Sequence, residues 1–567
     1  MTNPNGRTEQ PSDATLKEVV NVYVRNGGNK SATARELDVP RRTLARWIGY
    51  AEQRFELDLN NIADGRIGEI EKEVADLPEP GNVKRYIITS VQNNTYLHPG
   101  WVNLKAYADW LDALPNGACE FMVGTFSYAI DAYGAKAVKR GKWKPDDSLW
   151  YAPEIDGYIR DERIELAPGL VWCGEMNILP TAKHPLTGLE TYNGRKSNIV
   201  PHAKIAMESV PSMRREGTKL NFSTGTITMR NYIQKRAGIV AEAQHAYGGL
   251  LVEVASNGDW FVRQLHIDGN GQIYDIGPED GRLGAIRIVD GKVREGRVDS
   301  ITWGDIHTAE MEPWVREAGW GIPPHVDPGF IQESMLDTLR PDRQIMHDVF
   351  SMRSRTHHEM KDFHALYEKR AAGVDSVEKE VAECAEFLRF SAREWCETVV
   401  VPSNHDRHLD RWLREEDPRK DLPNAKYHAH LQEALLDAID RRELDFNILE
   451  FALGEKGLPK GIRFLAEDES FVICRDVDGG IECALHGDLG PGGSRGSTRG
   501  LTKLGRAINK GHDHTAAIRD NVYSVGACSL DFPYMKGPSA HSVSHIVTFE
   551  NGRRQIVTMW RGRWRAS

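Results

Sequence analysis

Gly511-His512-Asp513-His514 is the last in a series of short polar clusters along the C-terminal half of the chain. Asp305-Ile306-His307, His347-Asp348, Asn404-His405-Asp406 and His486-Gly487-Asp488 precede it, in that order. Imidazoles, carboxylates and an amide are the donors that hold borderline divalent cations. Taken alone, Asp305-Ile306-His307 reads as a strand-end turn and His486 as a hydrogen-bonded loop residue. The order of the five clusters gives them a joint meaning.

The first three clusters each follow a short apolar run. Val298-Asp299-Ser300-Ile301-Thr302-Trp303 leads to Gly304-Asp305, Gln344-Ile345-Met346 to His347, and Thr398 to Pro402 to Ser403-Asn404. Strands that end in such residues gather them at one edge of an α/β sheet, where open sheets place their sites. Helical periodicity over Val374 to Glu397 and Leu431 to Leu453 predicts long insertions, the second capping the cleft. Phe464 to Cys474 and Glu482 to Leu485 read as strands. A glycine-rich basic loop, Pro491 to Lys503, carries Arg495, Arg499 and Lys503. Ile546 to Trp560 reads as a hairpin turning at Asn551-Gly552, without a ligand candidate. His357-His358 reads as part of a solvated helix face.

At 567 residues the chain exceeds one core, and two or three domains are expected. It is 40% hydrophobic and 27% charged, with mean hydropathy −0.50. No apolar run approaches the roughly 20 residues that span a bilayer, and Met1 to Asp13 has no apolar signal-peptide core, so no membrane is expected. The seven cysteines are scattered and odd in number, with no Cys-x-x-Cys pair. That pattern points to a reducing, cytoplasmic setting and away from a disulfide framework. The net charge of −10 leaves DNA open, because Arg41-Arg42 with Arg46, and the tail from Arg553 to Arg565, are locally basic.

Towards the N-terminus, Ala14 to Val24 has helical apolar spacing and Gly27-Gly28 stops it. A short helix from Asn29, a turn at Asp38-Val39-Pro40 and a helix from Arg41 to Tyr50 follow. This resembles the helix-turn-helix of transposases and small phage DNA-packaging subunits. The resemblance implies that Arg41, Arg42, Thr43 and Arg46 face DNA while Leu44, Trp47 and Ile48 pack inward. A plain docking or oligomerisation knob is the alternative. Residues 1–60 are assigned to this module and 61–82 to an acidic linker. Residues 83–297 are assigned to an accessory α/β domain, opening on the strand Arg85 to Ser90, where Ser90 and Gln92 replace an Asp-x-His pair. That domain has the outline of a degenerate relative of the C-terminal one. Within it, Phe222 to Thr228, with Arg230, Lys235 and Arg236, reads as a solvated loop or a phosphate grip, and Glu175 as an acid without a partner.

The five clusters resemble the ordered motifs of the calcineurin-like metallophosphoesterase superfamily: Asp-x-His, Gly-Asp, Gly-Asn-His-Asp/Glu, a lone His, and Gly-His-x-His. The match covers roughly the last half of the chain, residues 298–567. It implies an α/β fold, a metallophosphoesterase-like β-sandwich flanked by helices. It also implies that Asp305, His307 and His514 hold one metal, that Asn404, His486 and His512 hold a second, and that Asp348 bridges them. His405 would steady the phosphate and protonate the leaving oxygen. Two positions depart from the pattern, His347 and Ser403 each standing where glycine is usual. Two divalent ions so held activate a water and neutralise phosphoryl oxygens. Manganese is the first candidate, with iron and zinc as alternatives.

With the helical module and the Arg495/Arg499 loop, the expectation is a metal-dependent phosphodiester hydrolase, a DNase, whose partner is DNA. The chain also resembles early tailed-phage proteins that degrade host DNA, which implies the host cytoplasm. A phosphatase or small-nucleotide phosphodiesterase with a protein-docking N-terminal module is one alternative. A DNA-binding regulator with a structural metal site is another. Self-association stays open.

Overall fold

Leu16, Val19 and Tyr23 recur at three- and four-residue intervals, which places them on one helical face. In a computed structural model of the protein they belong to α1 (Asp13–Arg25) and close a small core with Ala34 of α2 (Lys30–Glu36) and with Leu44, Ile48 and Ala51. The structure describes residues 11–25, 30–39, 43–44, 47–51, 77–128, 150–279, 281–322, 334–357, 359–443, 445–477, 479–533 and 535–566. Arg41, Arg42 and Arg46 lie outside these; Thr43 is half-buried next to the fully buried Leu44. This core belongs to the first of two compact units, Met1–Asp76, and the second is Leu77–Ser567.

The first half of the second unit supplies β1 (Val83–Gln92), β2 (Gly117–Phe126), β3 (Arg163–Ala167), β4 (Leu170–Cys173), β5 (Ser197–Val200), β6 (His202–Val210), β7 (Lys219–Gly225), β8 (Gly248–Ala255) and β9 (Trp260–His266). A three-stranded meander follows, β10 (Ile273–Glu279), β11 (Arg282–Val289) and β12 (Lys292–Glu295). The second half supplies β13 (Val298–Thr302), β14 (Arg343–Met346), β15 (Glu397–Val400), β16 (Ile462–Phe464), β17 (Val472–Ile473), β18 (Ile481–Glu482), β19 (Ala507–Lys510), β20 (Ala517–Arg519), β21 (Val522–Ser524), β22 (Ser544–Phe549) and β23 (Arg554–Thr558). The last two form the expected hairpin.

These strands lay out one plan twice. In the first half β2-β1-β8-β9 form a sheet; in the second, β14-β13-β22-β23 stand in the same order within β16-β15-β14-β13-β22-β23. Each set pairs parallel, antiparallel, antiparallel. The other layer is one ten-stranded sheet in which β3-β4-β5-β7-β6 repeat the order of β17-β18-β19-β21-β20. The two runs join through antiparallel β6 and β20, equivalent strands of the two copies. The other equivalent pair, β9 and β23, also meets: the Ile556 amide donates to Gln264 Oε1 at 2.8 Å.

Residue 298 is therefore not a boundary between independent domains, contrary to the expected split of 83–297 from 298–567. A sheet edge left open at β6 or β20 would expose a row of unpaired backbone groups, and each copy covers the other's. A buried ionic network ties the halves further. Arg263 bonds Asp275 at 2.8 Å and Glu253 at 2.7 Å, and Gln555 donates to Asp275 at 2.9 Å. One apolar cluster fills the space between the β layers, with Tyr86, Phe222, Leu250, Tyr523, Ile546 and Ile556 from both halves. Helices cover the outer faces: α3 (Trp101–Asp112) over the four-stranded sheet, and α4 (Val377–Ser391), α5 (His408–Glu415), α6 (Ala425–Asp440) and α7 (Ile448–Glu455) over the six-stranded one.

Three readings change, two in the accessory half and one in the C-terminal half. The hydroxyls of Phe222 to Thr228 are buried, and they knit strand ends: Thr226 Oγ1 donates to the Ser90 carbonyl at 2.7 Å and Ser223 Oγ to that of Lys204 at 2.8 Å. They make neither a solvated loop nor a phosphate grip. Glu175 has a partner, Arg163 Nε at 2.6 Å. The predicted helix over 431–453 is two helices, α6 and α7, because Arg442 takes a left-handed φ of 57° and Asn447 caps the next start. Both bury residues in the cluster behind the sheet. His357 sits in a turn with its ring 4.6 Å from that of His408, not on a helix; His358 lies outside the described residues.

Candidate metal centre

β13, β14 and β15 run parallel, and their C-terminal ends deliver Asp305, His347-Asp348 and Asn404-His405 to one side. β18 and β19 of the facing sheet, also parallel, deliver His486 and His512-Asp513-His514. The β13 extension is stitched to the second layer: the Asp305 amide donates to the Gly526 carbonyl at 3.0 Å, and its own carbonyl accepts from the Cys528 amide at 2.8 Å. The loops that follow bend sharply. His307, Asp348, His512 and His514 all take positive φ, from 46° to 78°. A left-handed conformation costs a non-glycine residue about 1–2 kcal/mol. Four such residues in one place mark a functional site rather than an economical turn.

All eight residues predicted for the metal centre itself converge. His307 Nε2 lies 3.1 Å from His514 Nε2 and 3.4 Å from Asp348 Oδ2, and His514 Nε2 lies 3.4 Å from Asp305 Oδ2. On the other side Asn404 Oδ1 is 2.9 Å from His486 Nε2 and 3.1 Å from His512 Nδ1. His486 Nε2 is 3.3 Å from Asp348 Oδ2, and its Nδ1 is 4.0 Å from Asp305 Oδ1. Asp348 thus stands between the two groups. The His405 ring meets His307 edge-on at 4.6 Å, and its Nδ1 lies 3.3 Å from the Ser351 carbonyl. Asp305, His307, Asp348, His486 and His514 are buried, whereas Asn404, His405 and His512 are half-exposed, so the site opens on their side.

Donor chemistry allows two cations here. His307, Asp348 and His405 form one group of ligand atoms within 4.8 Å of one another, and Asp305, Asp348 and His486 form a second, sharing Asp348. Asp305 Oδ1 and both Asp348 oxygens are buried without accepting a hydrogen bond. An acceptor left so is costly unless a cation or proton meets it. The shifts of the acids and bases point the same way. Burial, and then the Asp348 charge, push the Asp305 carboxyl up to about 8. Burial opposes charge on His486, yet Asp348 and Asp305 raise it to about 9.

The two departures from the motif are accommodated. His347 is fully buried, and the backbone meets it at Gly511: a Cβ there would lie 3.2 Å from His347 Cβ and 2.2 Å from Asp305 Oδ1. The close approach has moved from one residue to the other. Ser403 Oγ accepts from the Asp406 amide at 3.1 Å, and Asp406 Oδ1 accepts from the Phe350 amide at 3.1 Å, which pins the two ligand loops together.

Sequence reading missed the groups that hold the rings. Phe532 stacks on His514 at 4.7 Å and meets His307 at 4.9 Å, and the buried Lys510 Nζ donates to Asp513 Oδ2 at 2.7 Å. No motif marks Phe532, and the Lys510–Asp513 spacing alone is unremarkable. Asp488 pairs with Arg407 instead of facing the centre. Arg495 and Arg499 are exposed on a loop laced to the site: the Gly496 amide donates to the Asp488 carbonyl at 2.7 Å, and Thr498 Oγ1 to Asp513 Oδ2 at 3.1 Å.

Among the described residues, the first copy carries no such centre at the matching positions. Ser90, whose carbonyl accepts from the Ile227 amide at 3.0 Å, stands where Asp305 accepts from Cys528. Counting from the starts of β5 and β19, His202 matches His512 and Lys204 matches His514.

The chain is 35% identical over 491 residues to Protein A1 of Escherichia phage T5, an alignment covering 85% of this chain and 83% of that protein. No family model and no solved structure matches the chain. Among the described residues, no helix is long and apolar enough to cross a membrane.

Proposed function

The chain belongs to the family of the phage T5 Protein A1, and we propose that it is a metal-dependent phosphodiester hydrolase that cuts DNA. One observation carries this reading: donors from four separated segments meet in two groups that share the Asp348 carboxylate, and a fifth segment brings His514 Nε2 to 3.1 Å from His307 Nε2 and His512 Nδ1 to 3.1 Å from Asn404 Oδ1. Asp305, His307 and His514 would hold one divalent ion and Asn404, His486 and His512 the other, with Asp348 between. Bound there, a pair of ions, manganese first among the candidates, offsets the charge of the phosphoryl group and lowers the pKa of a water.

The protein's own residues do the rest. Asp348 and His307 fix each other's orientation, and Phe532 holds the His514 ring in place. His405, at the half-exposed side, steadies the phosphate and gives a proton to the leaving oxygen. Arg495 and Arg499 contact the DNA backbone beside the site. The N-terminal module adds a second DNA contact through Arg41, Arg42, Thr43 and Arg46. The phage relative supports action in a host cytoplasm.

Plasmid digestion with and without manganese tests the proposal, comparing the natural chain with His405→Ala and Asp348→Ala. Both substitutions abolish cleavage; the first retains two bound ions and the second loses them. Loss of ions from His405→Ala would make His405 a ligand, as its place beside His307 and Asp348 also permits. Cleavage of a small chromogenic diester but not of plasmid would return the reading to a small-nucleotide phosphodiesterase. DNA binding without any hydrolysis would leave a regulator.

A further inference from the structure

Across the β6–β20 junction the two copies line a half-open cavity of about 900 Å³. Its walls carry eight Lys and Arg side chains against four carboxylates, in a chain whose net charge is −10. The first copy contributes Lys183 and Arg230, the second Arg499, Arg519 and Arg553. Among the described residues none of these five has a carboxylate within 4 Å, whereas Arg506 of the same wall pairs with Glu482 at 3.3 Å. Arg519 and Arg553 also bury their Nε groups without a hydrogen-bond partner. Cations that outnumber the nearby carboxylates two to one repel one another, and an anion relieves that repulsion. Asp520 accepts from Gln244 at 2.8 Å, Asp268 from Asn551 at 3.1 Å and Asp513 from Lys510, and Glu208 faces the charge of Arg519.

The cavity shares a wall with the metal centre. Asp513 and Thr498 line it, and Asp513 lies between the ligands His512 and His514 in the chain. Its size falls at the upper end of single-ligand sites, roughly 300–1,000 Å³. That volume is on the scale of a few nucleotides of one strand. Flat rings are at hand, with Tyr247 stacked on His98 at 4.0 Å. Cationic walls with ring surfaces are what single-stranded nucleic acid binds, whatever its sequence.

We infer that this cavity holds a short single-stranded segment of the nucleic acid whose phosphodiester lies at the metal centre. The inference rests on the phosphodiesterase reading for the placing of the cut, but binding can be measured without it. The probe is a fluorescein-labelled fifteen-residue thymidine oligonucleotide, titrated in EDTA against the full chain at several salt concentrations. Lys183→Gln/Arg519→Gln/Arg553→Gln should weaken binding at least tenfold. It should also lower the slope of log affinity against log salt by about 2, since each lost strand contact is worth about 0.7. Binding of a blunt duplex should change less than threefold. The thermal midpoint is followed in parallel, and Arg519→Lys, which keeps the charge, should bind as the natural chain does.

Unchanged oligonucleotide affinity and slope in the triple variant would overturn the inference, even if plasmid cleavage stands. Strong oligonucleotide binding lost in the triple variant, with no cleavage of any substrate by the natural chain, would uphold the cavity and remove the hydrolase. A triple variant that melts early while Arg519→Gln alone binds normally would count against it too.

Discussion

Gly511→Ala is the smallest change that should disable the centre. A Cβ there would sit 2.2 Å from Asp305 Oδ1, where real contacts essentially never fall below 3.0 Å. The carboxylate must therefore retreat by roughly 1 Å, a misplacement that costs on the order of a hundredfold in rate. It cannot simply swing away, because its other oxygen accepts from the His512 amide at 2.7 Å, on the same loop. His347 Cβ, 3.2 Å away, blocks a retreat of the loop in that direction. Gly511 does not take a positive φ, so alanine brings no backbone strain and the effect is steric. Overpacking costs stability about 1–3 kcal/mol. Calorimetric titration with manganese should show affinity at one or both sites down by tenfold or more, and hydrolysis of a small diester about a hundredfold slower. Gly454→Ala, in α7 with nothing within 4 Å, is the control and should be neutral or slightly stabilising. Two ions bound by Gly511→Ala with natural affinity would refute the placing of Asp305 as a ligand.

Breaking the ionic network that joins the copies should destabilise the whole second unit. Asp275→Ala leaves Arg263 buried with half its partners, at a cost of about 3–5 kcal/mol, read as one shifted denaturation transition; two separate transitions would contradict a shared core. His545 is fully buried with Nδ1 accepting from the Gly304 amide at 2.9 Å, and burial lowers its pKa to about 3. Its unfolded pKa is about 6.5, so the unfolded chain binds the extra proton between those values and stability falls as pH drops from 6.5 towards 3. His545→Asn keeps an acceptor and has nothing to protonate. It should therefore gain on the natural chain by up to about 1.4 kcal/mol per pH unit across that window, measured by urea unfolding at pH 7, 6 and 5; a constant difference would refute the buried neutral histidine.

What the sequence made legible was local. Each of the first three ligand clusters follows a short apolar run that became a strand, because parallel strands buried on both faces read as apolar stretches. The Asn551-Gly552 turn fixed the last hairpin for equally local reasons. The repeat was harder to see. The copies differ where a motif search looks, with Ser90 and Gln92 for Asp305 and His307, and Lys204 for His514. What they share is strand order, and the β6–β20 pairing joins residues about three hundred positions apart. The domain boundary failed for that reason: the ligand motifs begin just past residue 298, but one core runs through both halves. Side-chain partners such as Arg163 for Glu175, or Phe532 for His514, come from separate strands and loops that the sheet brings together, and nothing in their spacing announces them.

The most direct test of the account is a manganese anomalous difference map from a crystal of the natural chain. Two peaks are predicted, roughly 3.5–4 Å apart, one against Asp305, His307 and His514, the other against Asn404, His486 and His512, with Asp348 touching both. An absence of peaks at saturating manganese, or a single peak away from Asp348, would contradict it.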